Sequence, residues 1–143
     1  MRVYEKIVPL RWGDMDAMKH LNNTLYFRLM EEVRICWFAE FDLLVMPDGE
    51  GPILAHASCD FKKPLTYPGD ARVMQSITRL GKTSLDAEMI IERTDEPGVV
   101  YAQGKNVLVW MNYVTGKSSP WPQHLRSALE AGGAGPQPVK GAA

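Results

Sequence analysis

One segment with the period of a helix, followed by segments with the period of strands, constrains this chain more than any other feature of its sequence. From Asn22 or Asn23 onward, Tyr26, Leu29, Met30, Val33 and Trp37 recur at i, i+3, i+4, i+7 and i+11, the spacing that gathers apolar side chains along one side of an α-helix. The two asparagines and Thr24 offer oxygens to cap its first turn. Arg28, Glu31, Glu32 and Arg34 supply its polar side, while the second half, "ICWFAEF", is apolar nearly all round. A helix of that kind is enclosed by other elements, so it is predicted to form the centre of the core.

What surrounds it reads as strand. Residues 3–12 mix Val3, Ile7, Val8 and Leu10 with polar partners and predict a first strand, disturbed by Pro9 and therefore beside an edge or a bulge. After the turn residues "MPDGEGP", Ile53, Ala55, Ala57, Cys59 and Phe61 alternate with Leu54, His56, Ser58, Asp60 and Lys62 until Pro64. Past "YPGD", Val73, Gln75 and Ile77 alternate with Met74, Ser76 and Thr78; past "GKTS", Leu85, Ala87, Met89 and Ile91 alternate with Asp86, Glu88, Ile90 and Glu92. Beyond "DEPG", residues 99–112 form the longest strand candidate, whose weaker alternation towards the end predicts burial on both faces. "TGKSSPWP" then leads to a short helix from about Pro122 to Glu130. The order is strand, long helix, four strands in meander-like succession and a short helix, an α+β layout in which an antiparallel sheet covers the helix. It fills one domain over residues 1–131; the tail 132–143, rich in Gly, Ala and Pro, is predicted to be disordered.

With 143 residues, 45% of them apolar and 23% charged, one core is the expectation. A formal charge of −1 leaves no electrostatic footprint for nucleic acid or an anionic membrane, so an anionic ligand has to be met by local cations. The first twelve residues lack the continuous apolar core of a signal peptide, and no later run reaches the length of a membrane span, which makes a cytoplasmic location the default. Cys36 and Cys59 are too few for a disulfide framework and read as small buried hydrophobes. His20, His56 and His124 are scattered without ligand spacing, so no metal site is expected. Glycine-rich phosphate loops, nucleophile elbows and dinucleotide fingerprints are absent.

The concentrated polar chemistry lies in "RWGDMDAMKHLNNTLYF", Arg11 to Phe27, between the first strand and the long helix. Continued to "RLMEEVR", this stretch resembles the 4-hydroxybenzoyl-CoA thioesterase family of hot-dog fold thioesterases, in its acyl-CoA thioesterase branch. The family pattern is an aromatic residue, a first Asp, a second Asp, a His and an Asn pair running into the central helix. "CDFKKPLTYPGD", "LGKTSLDAEMII" and "TGKSSPWPQHLRSALE" resemble its later strands, turns and terminal helix. One departure is Lys19, which stands where a glycine commonly precedes the His.

The resemblance implies hydrolysis of an acyl-CoA thioester to free acid and CoA, with no cofactor beyond the CoA of the substrate and with a homodimer or homotetramer as the working form. It maps the catalytic carboxylate to Asp16 and the polarising backbone N–H to Asn23. Both suit the chemistry. A helix N-terminus carries unpaired N–H groups and a favourable dipole for the oxyanion that develops on an attacked carbonyl. An Asp on the preceding loop either attacks the carbonyl or activates a water, and the sequence leaves both routes open. Asp14 reads as a structural acceptor, and His20 as orienting the loop or touching the substrate. Tyr26, Phe27 and Met30 are candidates for the acyl chain, and Lys62, Lys63, Arg79 and Lys82 for the CoA phosphates. Competing readings are a non-catalytic acyl-thioester binding protein and a hot-dog hydratase or dehydratase, for which His20 and Asp16 make no obvious proton-exchanging pair.

Overall fold

A computed structural model of the chain describes residues 3–40 and 49–131. The predicted tail and residues 46–48 of the turn after the long helix lie outside these residues. The elements in order are β1 (Tyr4–Pro9), a 3-10 turn (Trp12–Asp14), α1 (Asn23–Glu40), β2 (Glu50–Phe61), β3 (Asp70–Leu80), β4 (Ser84–Arg93), β5 (Ala102–Asn112), β6 (Lys117–Ser118) and α2 (Gln123–Glu130). They form the hot-dog arrangement, one antiparallel sheet around a long helix.

The strands run β1-β3-β4-β5-β2 across the sheet, with β6 added to the end of β5. Three of the four strands after the helix form the expected meander. The fourth, β2, does not pair with its successor β3; it lies beyond β5, with Ile53 opposite Val109 and Phe61 opposite Ala102. Alternation reports which side of a strand is buried and says nothing about its neighbour, and the segment from Lys62 to Gly69 is long enough to carry the chain across the sheet. Both β1 and β2 are edges; Pro9 predicts a first strand beside an edge, whereas the strand is itself the edge and its neighbour β3 is interior. β1 ends at Pro9 because the chain then turns: the Leu10 N–H donates to Gly69 O (2.9 Å) and the 3-10 turn follows.

Two layers of apolar side chains hold α1 to the sheet. Tyr26, Leu29, Met30 and Val33 pack on Ala71, Val73, Met89, Ile91 and Ala102. Trp37 and Phe38 pack on Ile77, Leu85, Ala87, Leu108 and Trp110, and α2 closes this end with Leu125 and Leu129. The helix departs from its predicted sides at Arg34 and in its second half, where Ile35 (42% exposed) and Ala39 face outward, so that half is covered on one side and not all round. Arg34, assigned by sequence to the polar side, is only 7% exposed. β5 alternates cleanly, with Ala102, Gly104, Asn106, Leu108 and Trp110 inward and Val107, Val109 and Met111 half-exposed, so its run of apolar residues reflects an apolar outer face and not burial on both. The cysteines are half-buried and free; burial pushes the Cys59 thiol up to about 11, which leaves it unreactive near neutral pH.

Candidate active site

The loop between β1 and α1 folds back on itself. Met15 and Leu21 form an antiparallel bridge, and the Asn22 N–H donates to Asp14 O (3.3 Å). Inside that closure the Asp16 N–H donates to His20 O (2.8 Å) and the Lys19 N–H to Asp16 O (2.9 Å). Such a tight turn needs a left-handed residue, and Lys19 supplies it at φ +61. The position where the family commonly carries glycine is thus one that glycine would occupy without strain. The loop is fastened from outside by the Leu21 N–H on Leu65 O (2.8 Å). Arg93 in turn holds the 64–69 segment, donating to Thr66 O (2.6 Å) and Pro68 O (2.9 Å) while Asp95 pairs with its other edge (2.9 Å).

The turn aims the Asp16 carboxylate. Its Oδ1 accepts from the Met18 N–H (2.8 Å) and the His20 N–H (3.3 Å). Its Oδ2 has no hydrogen-bond or ion-pair partner among the described residues, and the side chain is exposed. One oxygen is therefore pinned and the other is free to take a proton or to attack. His20 contributes through its main chain: its N–H and carbonyl hold Asp16, and its half-buried ring makes no hydrogen bond among the described residues.

Asn22 is the cap of α1. Its Oδ1 accepts from the Thr24 N–H (3.0 Å) and the Thr24 hydroxyl (2.6 Å), and its carbonyl accepts from the Leu25 N–H (2.9 Å). The donor left over at the helix start is the Asn23 N–H, which has no partner among the described residues. An unpaired N–H at the positive end of an 18-residue helix is the equipment an oxyanion hole requires.

Asp14 differs in every respect. It is bracketed by Arg11 (3.3 Å) and Arg28 (3.7 Å), and its side chain is only 17% exposed. It lines a cavity of about 300 Å³ on the β1 side of α1, with Val8, Pro9, Leu25 and Glu32. A second cavity, of about 220 Å³, lies on the β2 side and is lined by Phe27, Met30, Arg34, Leu54, Ala57 and Asn106. Arg28, which pairs with Asp14, lines both cavities. Burial raises the Tyr26 phenol above its ordinary range; the Leu65 N–H opposes this, and the Cys59 thiol of β2 and the Asp16 carboxylate add to it.

Tyr26 itself is core. Its hydroxyl accepts from the Leu65 N–H (3.2 Å) and donates to Lys63 O (3.4 Å), and its ring meets Phe61 edge-on (4.9 Å), so both functions of the hydroxyl are used on the loop. Phe27 and Met30 do reach the β2-side cavity. Lys62 and Lys63 are exposed at the Asp16 end of the sheet, with the Lys63 ammonium 5.3 Å from the Tyr101 ring centroid. Arg79 and Lys82 are at the other end of β3, roughly 30 Å away at 3.3 Å per strand residue, and one chain does not bring them to Asp16. Arg79 is already engaged by both Asp86 oxygens (3.0 Å each) and by Ser84 Oγ (2.9 Å). Among the described residues no cluster of His, Cys, Asp or Glu is arranged to hold a metal ion, and no helix is long and apolar enough to cross a membrane.

The model of the thioesterase-like superfamily matches residues 10–129, nearly the whole described fold and all of the site. The chain belongs to that superfamily. Among solved structures, a candidate thioesterase from Pseudomonas aeruginosa is 34% identical, covering 88% of this chain and 97% of its own, with a TM-score of 0.83. A candidate acyl-CoA thioesterase from Xanthomonas campestris is 30% identical over 84% of this chain and all of its own, with a TM-score of 0.74. A thioesterase from Thermus thermophilus, solved with coenzyme A and zinc, is 28% identical over 89% of this chain and 92% of its own, with a TM-score of 0.76. The thioesterase-like match begins at Leu10, so the paired aspartates, the histidine and the helix cap all fall within it.

Sequence reasoning missed five participants. Arg93 is remote in sequence and acts by tying a loop. Arg11 and Arg28 flank Asp14 from two different elements. Arg34 and Asn106 are buried polar residues at positions where a strictly apolar pattern would continue, and that break in the pattern was the available signal.

Proposed function

We propose that this chain hydrolyses an acyl-CoA thioester to the free acid and CoA, with Asp16 as the reacting carboxylate and the Asn23 N–H as the oxyanion donor. The observation that carries this reading is a carboxylate with one oxygen pinned and one free, on a loop that runs into a helix whose first N–H is unpaired. In the general-base route Asp16 Oδ2 takes a proton from water, the hydroxide adds to the thioester carbon, and the oxyanion forms opposite the Asn23 N–H. Collapse expels the CoA thiolate, which recovers a proton. In the nucleophilic route Oδ2 itself adds to the carbon and expels the thiolate, and water then cleaves the resulting anhydride. Asp16 needs the same immobilisation in both.

His20 serves as a positioning residue through its main chain, Tyr26 holds the 62–65 segment, and Lys62 and Lys63, exposed at that end of the sheet, are the candidate cations for the CoA phosphates. Arg79 and Lys82 could serve a site only across a subunit boundary. A homodimer or homotetramer is the working form in this reading. Its support is the twelve-residue edge strand β2, which leaves Leu54 (42% exposed) and Phe61 (45%) uncovered, and the apolar outer face of β5. The test is thiol release by the purified chain across aromatic, medium and long acyl-CoAs, beside its mass in solution. Turnover of any class supports hydrolysis; binding without release would make the chain an acyl-thioester binding protein, and a strictly monomeric active form would remove the cross-subunit role of Arg79 and Lys82.

A further inference from the structure

The cavity on the β2 side has an unusual inner end. Arg34 lines it, is 7% exposed, and has neither a hydrogen bond nor an ion pair within 4.0 Å among the described residues. Beside it Asn106 is 1% exposed; its amide reaches only Met89 Sδ (3.5 Å), and its Oδ1 has no partner. Glu31, on the rim, is exposed and too far from Arg34 for an ion pair. Burial lowers the Arg34 pKa and Glu31 opposes this, yet a guanidinium stays charged in a protein. Buried polar groups are ordinarily hydrogen-bonded and buried charges paired. Arg34 therefore brings a cation with no counter-charge among the described residues to the inner end of this cavity, a place that suits an anionic group; the open Asn106 Oδ1 is an acceptor and adds nothing to that preference.

The cavity also has a direction. Asn23, Phe27, Met30 and Arg34 are spaced i, i+4, i+7 and i+11 and fall along one side of α1. Antiparallel to the sheet's β5, strand β2 brings Phe61 against Tyr26 near the site loop and Ala57 and Leu54 against the cavity further along. Eleven helical residues rise roughly 16 Å, and the Arg34 side chain leans back towards the helix start. A carbonyl held at the Asn23 N–H would therefore send its acyl group down this groove, with its far end at Arg34.

Resting on the thioesterase reading above, we infer that the acyl group ends in a carboxylate: the substrate class is the mono-CoA thioester of a medium-length dicarboxylic acid, with Arg34 pairing the distal carboxylate. An alkyl tail would leave the Arg34 charge without a partner at the inner end of the groove, and a site built for a polar partner discriminates strongly against the analogue that lacks it.

The experiment compares suberoyl-CoA with octanoyl-CoA, and adipoyl-CoA with hexanoyl-CoA, on wild type, Arg34→Met and Arg34→Lys. The readout is the ratio of kcat/KM within each matched pair. Wild type should favour one dicarboxylic thioester at least about 10-fold, and Arg34→Met should lower that ratio at least about 30-fold, as expected when one partner of a buried charge pair is truncated. Arg34→Lys should fall between. Calorimetric titration with free suberate and adipate gives a second readout that needs no turnover: binding to wild type and its loss in Arg34→Met support the site even if no acyl-CoA is cleaved, a result that would sink the hydrolase reading alone. Equal ratios in wild type and Arg34→Met with no dicarboxylate binding overturn the inference. So does dissociation of the oligomer in Arg34→Met with unchanged ratios, which would assign Arg34 to a carboxylate of a second copy.

Discussion

Asp14 and Asp16 are two residues apart, on the same loop and before the same helix, and they have opposite surroundings. Asp14 faces the β1 flank of α1, where Arg11 and Arg28 hold it and only 17% of its side chain is exposed. Asp16 is exposed, with one oxygen fixed by two main-chain N–H groups and the other unengaged. The difference teaches that a carboxylate's role follows from what its oxygens are already bonded to. Cations on Asp14 make it an anchor, because its charge is spent locally. Main-chain donors on one oxygen of Asp16 orient it without neutralising the other.

Breaking the comparison at its reactive half should give the largest effect. Asp16→Asn keeps the acceptor for Met18 and His20 but removes both nucleophile and base, so kcat should fall at least about 10²-fold with KM nearly unchanged, the pattern of a group that acts only in the transition state. Steady-state thiol release and a melting curve check this; the melting temperature should barely move. Breaking the anchoring half should reverse the balance. Asp14→Asn leaves Arg11 and Arg28 without their shared partner and should cost about 1 kcal/mol, seen as a melting temperature lower by a few degrees, with a smaller loss of kcat.

Lys82→Ala sharpens the comparison at a distance. If a second subunit carries Lys82 to the CoA phosphates of this site, KM should rise more than kcat falls, because a contact remote from the carbonyl contributes uniform binding; an unchanged KM removes Lys82 from the site. The smallest effect is expected at Lys19→Gly. It relieves a left-handed lysine at φ +61, offset by the greater freedom of glycine in the unfolded chain, for a net gain below about 1 kcal/mol. Activity should be retained, since the turn that aims Asp16 is unchanged.

Period and punctuation made most of the fold legible. The helix start at Asn22 or Asn23, the strand alternation in 70–93 and the terminal helix follow from local spacing and turn residues, which is the information that sequence carries directly. The partner of β2 was not legible, because strand pairing is decided by how the sheet closes around α1. The site was legible as a loop and a helix cap, since Asp16, His20 and Asn23 are close in the chain. The bracketing of Asp14 was not, because Arg11 and Arg28 reach it from separate elements. Arg34 was misplaced for a related reason: its position on the helical wheel borders the apolar side, and β2 and β5 enclose it only once the sheet has formed. Arg79 and Lys82 sat near the motif by family analogy, while the length of β3 separates them from it within one chain.

The flank assignment is tested most directly by where a bound acyl group lies. Crystals grown with a non-cleavable thioether or ketone analogue of a turned-over acyl-CoA should show the carbonyl oxygen about 3 Å from the Asn23 N–H, its carbon facing Asp16 Oδ2, and the acyl chain running between α1 and β2 towards Arg34. An acyl chain in the opposite cavity, beside Asp14 with its carbonyl away from Asn23, would contradict the account.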